Sequence, residues 1–423
     1  MLVNKFLIGE AASALKEIAG LAHPADAVLR RFFRERAKLG QRDREFVAET
    51  VYAWLRRKRS LEYFAASQEA KSLVLATLAR SLGFSMRQLE PYVTKREADW
   101  IEHLKSKTLD GVPAGVRLDL PDWLVERIAA AAGDAELEAF AQAMLQTAPL
   151  DLRVNTMKAE RDAVLAQFNA EGIQARATPW SPFGVRLLEK PALTKHPLFI
   201  DGAIEVQDEG SQLLCMLVGP KRGEMVADFC AGAGGKTLAL GALMRSTGRL
   251  YAFDISAKRL AQFGPRLKRS GLSNVHAQSI ASESDAKLKR LAGKFDRVLV
   301  DAPCSGLGTL RRNPDLKWRQ SPLAVDQMHV KQVSILGAAS RLVKPGGRLV
   351  YATCSVLDDE NGLVVSEFLA KHAEFRLVPA GEVMAQQKIA PQLAQEMGEY
   401  FVLSPQRHGT DGFFAAVLER AAT

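Results

Sequence analysis

The chain has 423 residues, 47% hydrophobic and 25% charged, too long for one ordinary core and too balanced for disorder, so two or three domains are expected. No stretch reaches 18 uninterrupted apolar residues and charge arrives at Lys5, so neither a membrane helix nor a secretory leader is expected and the cytoplasm is the expected compartment. The net charge of +9 favours a polyanionic partner, and the four cysteines, at 215, 230, 304 and 354, have no C-x-x-C spacing and no paired histidines, so free thiols without metal are expected.

Residues 1–145 read as successive helices, with apolar positions recurring every three or four residues, as in Ala27-Val28-Leu29-Arg30-Arg31-Phe32-Phe33 and in the stretch from Arg44 to Leu55. An all-α domain is expected, with Trp54 and Tyr63 on the apolar phase as core aromatics. Between Arg30 and Arg59 stand 11 Lys or Arg against 4 acids, including Arg56-Arg57-Lys58-Arg59. A solvated helix face and a polyanion-binding face are equally compatible with that run, and the basic balance of the chain favours the second.

Near Pro149 the pattern changes to short strands and turns, and residues 146–205 fit a compact α+β subdomain. From 206 to 423 apolar strands alternate with amphipathic helices: Met225–Phe229, Leu250–Asp254, Phe295–Asp301 and Gly347–Thr353. Strands that are apolar throughout are buried on both faces, which predicts an α/β domain built on a mostly parallel sheet.

The first of these strands runs into Cys230-Ala231-Gly232-Ala233-Gly234-Gly235-Lys236-Thr237 and then into a helix. Glycines between strand and helix let a ligand approach the backbone. The P-loop match is partial, because Cys230 stands where its first glycine belongs, and the dinucleotide fingerprint fails, because Lys236 and Thr237 follow the glycines. The next strand ends in Asp254, 26 residues after Asp228, where a carboxylate can accept from ribose hydroxyls. The competing role for Asp254 is a helix cap. A nucleoside with no phosphate to cradle suggests S-adenosylmethionine.

Two further strands end in Asp301-Ala302-Pro303-Cys304-Ser305-Gly306 and Tyr351-Ala352-Thr353-Cys354-Ser355-Val356. Together with Asp228–Thr237, Phe253-Asp254, the stretch Arg311 to Trp318, Lys344-Pro345-Gly346-Gly347 and Asp411-Gly412-Phe413-Phe414, they resemble the RNA cytosine-5 methyltransferases of the Sun/Nop type, and among them the bacterial RsmB-type ribosomal RNA enzymes. The front half, with Asp43-Arg44-Glu45-Phe46-Val47, resembles their NusB-like RNA-binding domain. The resemblance implies a Rossmann-like S-adenosylmethionine-dependent methyltransferase fold preceded by the α+β and NusB-like parts. It also implies that the chain acts, as a monomer, on ribosomal RNA of the small subunit.

The resemblance also assigns roles. Cys354 would attack carbon 6 of cytosine, Cys304 would assist release, Asp301 would bond the N3/N4 edge, and Lys236 would order the site. The loop Cys230–Gly235, with Lys236, Asp254 and Asp301, would hold the cofactor. Each cysteine is otherwise a small buried hydrophobe, the usual fate of Cys215 and of the Cys230 sulfur. DNA cytosine methyltransferases attack with the Pro-Cys thiol, so a second, Thr-Cys strand end favours the RNA class. The family's acid near the adenine has no counterpart in Val275–Ser282, which leaves backbone groups, Glu283 or Asp285. Arg311, Arg312, Lys317 and Arg319 are expected to meet RNA phosphates. The opposing reading is a non-catalytic RNA-binding ribosome-assembly factor on the same fold.

Overall fold

A computed structural model describes residues 3–422. The backbone gathers into two units. The first runs to Thr147 and takes in Thr309–Pro322, a segment that lies within the 206–423 stretch; the second comprises Ala148–Gly308 and the chain from Leu323 onward.

The first unit is helical. Helix Lys5–Ile18 starts where the Asn4 side chain accepts the Leu7 N–H at 2.8 Å, and Lys95–Ser106 starts at a Thr94/Glu97 capping box. The central helix Ala70–Arg80 is buried continuously from Leu73 to Ala79, so it is surrounded by the others rather than lying on them. Trp54 is 1% exposed, as its phase requires, whereas Tyr63 is 46% exposed. The helix breaks at Arg57 (φ −121°, ψ 33°) and restarts at Lys58 with Ser60, Leu61, Phe64 and Ala65 on its buried side; nine helical residues at about 100° each would in any case turn Tyr63 to the face opposite Trp54.

The same break disposes of the Arg56–Arg59 run as a single charged face. Arg56 is buried and its Nη2 donates to the Arg311 carbonyl at 3.1 Å, Lys58 pairs with Glu62, and Arg59 is held by Leu120 O and Asp122. The expectation that Arg311, Lys317 and Arg319 meet phosphates is corrected in the same way. Arg311 and Lys317 are buried, Lys317 Nζ donates to Arg56 O at 2.9 Å, Trp318 Nε1 donates to Leu55 O at 2.7 Å, and Asp315 accepts the Ala25 N–H at 3.2 Å while Arg319 pairs with it. These charges fasten the segment into the helical core.

Burial pushes the Lys317 ammonium down to about 7. The folded state therefore binds fewer protons than the unfolded chain between that value and the ordinary lysine range, so stability rises with pH across the interval; the cost, up to roughly 5 kcal/mol, is complete below it. Lys317→Met should stabilise the protein at pH 6 by about 1–3 kcal/mol, the remainder being lost with the hydrogen bond to Arg56 O, and should flatten the rise in Tm between pH 7 and 9. Thermal unfolding across that range checks it, and an unchanged slope would refute it.

The second unit carries two sheets. Strands β1 (Leu150–Val154), β2 (Ala175–Ala177), β3 (Gly184–Leu187) and β4 (Ile204–Val206) form an antiparallel sheet in the order β2-β3-β1-β4. Leu152, Val154, Val185 and Ile204 pack there on Val164 and Phe168 of helix Arg161–Ala170. The larger sheet contains β5 (Met225–Asp228), β6 (Arg249–Asp254), β7 (Val275–Ser279), β8 (Phe295–Asp301), β9 (Val343–Thr353), β10 (Phe375–Val378), β11 (Phe401–Leu403) and β12 (Phe413–Arg420). Its order is β10-β12-β9-β8-β5-β6-β7, with β11 beside β12. The five strands from β9 to β7 are parallel and the pairs made by β12 antiparallel. This is the mostly parallel α/β sheet expected. Strand order reverses around β5, and ligands of such sheets bind at the carboxyl ends of the strands flanking that point. Asp228, Asp254, Asp301 and Thr353 end β5, β6, β8 and β9 there.

Candidate active site

The glycine loop is fixed by its neighbours on both sides. Past β5, Phe229 N–H bonds Leu299 O and Ala231 N–H bonds Phe253 O, each at 2.8 Å. Gly232 and Gly234 have φ of +57° and +80°, the left-handed region that disfavours side chains. A Cβ on Gly234 would lie 2.0 Å from the Phe263 ring, whereas one on Gly232 would meet nothing within 4 Å. Gly234 thus closes the loop on the helix below, and Gly232 leaves backbone bare beside open space.

Asp254 combines the two roles weighed for it. Its Oδ2 accepts the Gly232 N–H and its Oδ1 the Ser256 N–H, each at 2.7 Å, and both oxygens retain a lone pair for a ligand hydroxyl. Asp228 lies beneath the loop, wholly buried; Thr237 Oγ1 donates to its Oδ2 at 2.7 Å, its Oδ1 has no partner, and burial pushes the carboxyl up to about 7. Cys230 is half-buried with a thiol raised by burial, and Ala233 O accepts from Arg266 at 2.6 Å. Bare backbone at Gly232, Asp254 with spare acceptor capacity and a partnerless buried Asp228 oxygen suit a nucleoside-bearing cofactor.

The two strand-end cysteines are brought together by register. Strands β8 and β9 are parallel with Asp301 opposite Ala352, and the pairing continues through Ala302 N–H to Ala352 O at 2.8 Å. Two residues beyond that bond on each strand, Cys304 Sγ and Cys354 Sγ lie 3.4 Å apart. The bond to Cys354, with burial second, pushes the Cys304 thiol well up. Lys236 Nζ donates to Asp301 Oδ2 at 2.7 Å; burial works against its charge, but Asp301, with smaller contributions from Cys215 and Cys354, raises it nonetheless. The fourth cysteine, Cys215, is buried in helix Glu209–Val218 with its thiol pushed up to about 12 by burial and directed at Ser211 O, a packing role. Among the described residues no group of His, Cys, Asp or Glu is arranged to hold a metal ion.

Sequence reasoning missed the groups that hold the thiols. Glu360, wholly buried, accepts from Ser305 N–H at 2.7 Å, from the Ser305 and Ser355 hydroxyls, and from Gln332 Nε2 at 3.1 Å. Asn361 bonds Thr353 Oγ1 and Ser355 O. Gly308 N–H bonds Cys354 O at 2.8 Å, and a Cβ there would lie 2.4 Å from Gly412 O, so the Pro-Cys loop, the Thr-Cys loop and Asp411-Gly412 meet as backbone. The sequence offered one signal, the polar Glu360-Asn361 pair a few residues past Cys354, but Asp358-Asp359-Glu360 reads as a solvated turn. Of the candidates near an adenine, Asp285 accepts Ala281 N–H at 2.8 Å and Lys287 N–H at 2.9 Å, and Glu283 bonds Ser334 Oγ at 2.9 Å, so both hold their own loops. Ile255, directly after Asp254, is 58% exposed and offers an apolar face at the same edge.

The sequence profile described as 16S rRNA methyltransferase RsmB/F matches residues 215–419, and that of the RsmF/B-like ferredoxin-like domain matches 120–194. The chain is 31% identical over 416 residues to a probable ribosomal RNA small subunit methyltransferase B of Bacillus subtilis (strain 168), covering 90% of this chain and 92% of that protein. It is 35% identical over 311 residues to a protein of the same name from Synechocystis sp. (strain PCC 6803), covering 73% and 69% respectively. The solved structure of a protein designated PH0851 superposes with a TM-score of 0.80 at 25% identity over 99% of this chain and all of that one.

Proposed function

The chain belongs to the RsmB/F family of 16S rRNA methyltransferases, and from that premise we propose that it methylates carbon 5 of a cytosine in small-subunit ribosomal RNA, with S-adenosylmethionine as donor. The observation that carries this reading is the pair of thiols 3.4 Å apart beside the Lys236–Asp301 ion pair. The cofactor supplies an electrophilic methyl group; Gly232, the backbone of Cys230–Gly235 and Asp254 would hold it, with Ile255 against its base.

Carbon 5 of cytosine is a weak nucleophile until a thiolate adds to carbon 6 and shifts electron density to carbon 5. Cys354 is the attacking group. With Cys354 as the thiolate, the donor in the 3.4 Å contact has to be the Cys304 S–H, and Lys236 is near enough to couple to that charge. Asp301 uses one oxygen for Lys236, leaving the other to accept from the exocyclic amine of the base. Once Cys354 sulfur is bonded to carbon 6 it no longer carries the charge that holds the Cys304 proton. Cys304 then loses that proton to solvent and takes the one on carbon 5, and the carbon 6–sulfur bond breaks with its electron pair returning to Cys354.

The target base has to leave its stack to reach such a pocket, so the flanking RNA needs holding. In the helical unit Arg30, Arg31, Arg34, Lys38 and Arg42 are exposed, and we assign phosphate contacts to them in place of the buried Arg311 and Lys317.

Purified protein with methyl-labelled S-adenosylmethionine should label 16S RNA from a strain lacking the gene, at one cytosine located by bisulfite mapping. Failure to label either the free RNA or the assembling small subunit would leave the non-catalytic assembly factor as the surviving reading.

A further inference from the structure

Backbone pairing between β8 and β9 ends at Ala302 and Ala352, so the sheet alone does not set the distance between two side chains carried further out on separate loops. Ser305 follows Cys304, Ser355 follows Cys354, and both serines converge on Glu360 at the end of the turn Asp358–Glu360. Its Oε1 accepts the Ser305 N–H and Gln332 Nε2, and its Oε2 accepts both serine hydroxyls. Four donors fill the four acceptor directions of a carboxylate. Among the described residues no cation pairs with it. A buried carboxylate without a cation is costly unless hydrogen bonds replace its water, so the arrangement persists only while both loops stay in place. Gln332 extends the clamp, since its Nε2 also donates to Pro303 O at 2.9 Å, directly before Cys304. Tyr351 OH, one strand-end away, holds the Glu360 carbonyl at 2.6 Å.

We propose that Glu360 is the positioning residue of the dithiol site, a buried clamp that sets the separation of Cys304 and Cys354 through Ser305 and Ser355. It is not a catalytic residue, because its oxygens are occupied by the two loops and Gln332. Its effect on turnover rests on the roles proposed above for the cysteines, whereas its effect on their spacing does not. Attack and release use two sulfurs on one base in sequence, so a displacement of about 1 Å is enough to slow turnover on the order of a hundredfold.

Spacing is measurable without RNA or methyl donor. With 2,2′-dithiodipyridine, one thiolate attacks the reagent's disulfide and releases one pyridine-2-thione. The neighbouring thiolate then attacks the resulting mixed disulfide and releases the second. Two thiols are oxidised to one disulfide, the reagent is reduced to two thiones, and the two thiol protons end on the ring nitrogens of those thiones. The first-order second release, with recovery of a linked Cys304–Cys354 peptide, reports how the sulfurs are held. In Glu360→Ala that step is expected to slow on the order of tenfold or more, and kcat to fall with KM for S-adenosylmethionine nearly unchanged. Glu360→Gln should restore most of both, because an amide of equal length still spans the loops and the serine hydroxyls can turn to accept from it. Cross-linking at the wild-type rate in folded Glu360→Ala overturns the proposal. Should that variant not fold, Ser355→Ala, which removes one of the two serine links to Glu360 together with the Leu357 N–H bond to the same hydroxyl, decides the matter: slowed cross-linking supports the clamp and an unchanged rate refutes it. Normal clamp behaviour in a protein that methylates no RNA would count against the functional reading and leave the positioning role standing.

Discussion

Cys354→Ala is expected to abolish methyl transfer to ribosomal RNA, a loss of about 10⁴-fold or more, because removing the nucleophile removes the step that makes carbon 5 reactive rather than merely slowing it. No other group in the site substitutes for it. The Cys304 thiol is raised and stands on the other loop, Cys215 is buried against Ser211, and Cys230 lies in the cofactor loop. The variant should still bind S-adenosylmethionine, since the groups proposed to hold it, Gly232 and Asp254, are bonded to each other and to Ser256 rather than to Cys354. Equilibrium dialysis with labelled cofactor, run beside the methylation assay, separates the two effects. Residual methylation above about a tenth of wild type would mean that Cys354 is not the attacking group.

The thiol site was legible where chemistry attaches to residue type at a strand end. Parallel strands buried on both faces announce themselves as apolar runs, and the residues that follow each run fall at the carboxyl edge, so local pattern put Asp228, Asp254, Asp301, Cys304 and Cys354 at that edge, while the roles proposed for Asp301 and the two cysteines came from the resemblance. Proximity of the two sulfurs needed the register of β8 on β9, which is a non-local pairing no single run of residues encodes. Glu360 was hidden for a related reason. Its neighbours Asp358 and Asp359 make it look solvated, and only the fold shows that the turn carries it under both loops. The charged stretch Arg311–Arg319 misled in the opposite sense. Charge usually marks surface, but Lys317 is buried at the cost of a depressed pKa because the helical unit supplies Arg56 O as acceptor and Asp119 as a nearby opposite charge. Tyr63 was misplaced because it was put on the phase of Trp54, although nine helical residues at about 100° each turn it to the opposite face, and Leu61 and Phe64 take the buried side.

Cys304→Ala is expected to trap the protein on its RNA. In the proposed mechanism methyl transfer leaves carbon 5 bearing both the new methyl group and a proton, with Cys354 bonded to carbon 6, and the sulfur is not expelled until that proton is removed. The 3.4 Å separation of the sulfurs sets Cys304 beside the bond that must break, and loss of a positioned general base slows such a step by about 10²–10⁴-fold. Incubation with S-adenosylmethionine and end-labelled 16S RNA should therefore give a complex that survives denaturing electrophoresis, absent with wild-type protein because its adduct is released. The double variant Cys304→Ala, Cys354→Ala should form none, which identifies the sulfur in the bond. Release in wild type should also quicken as pH rises, because the Cys304 thiol, still held up by burial once Cys354 is bonded to carbon 6, must ionise before it can act as a base. An adduct that persists in the double variant would remove Cys354 as the bonded sulfur, whereas none in the single variant would remove Cys304 from the release step and leave the clamp at Glu360 holding a thiol whose purpose lies elsewhere.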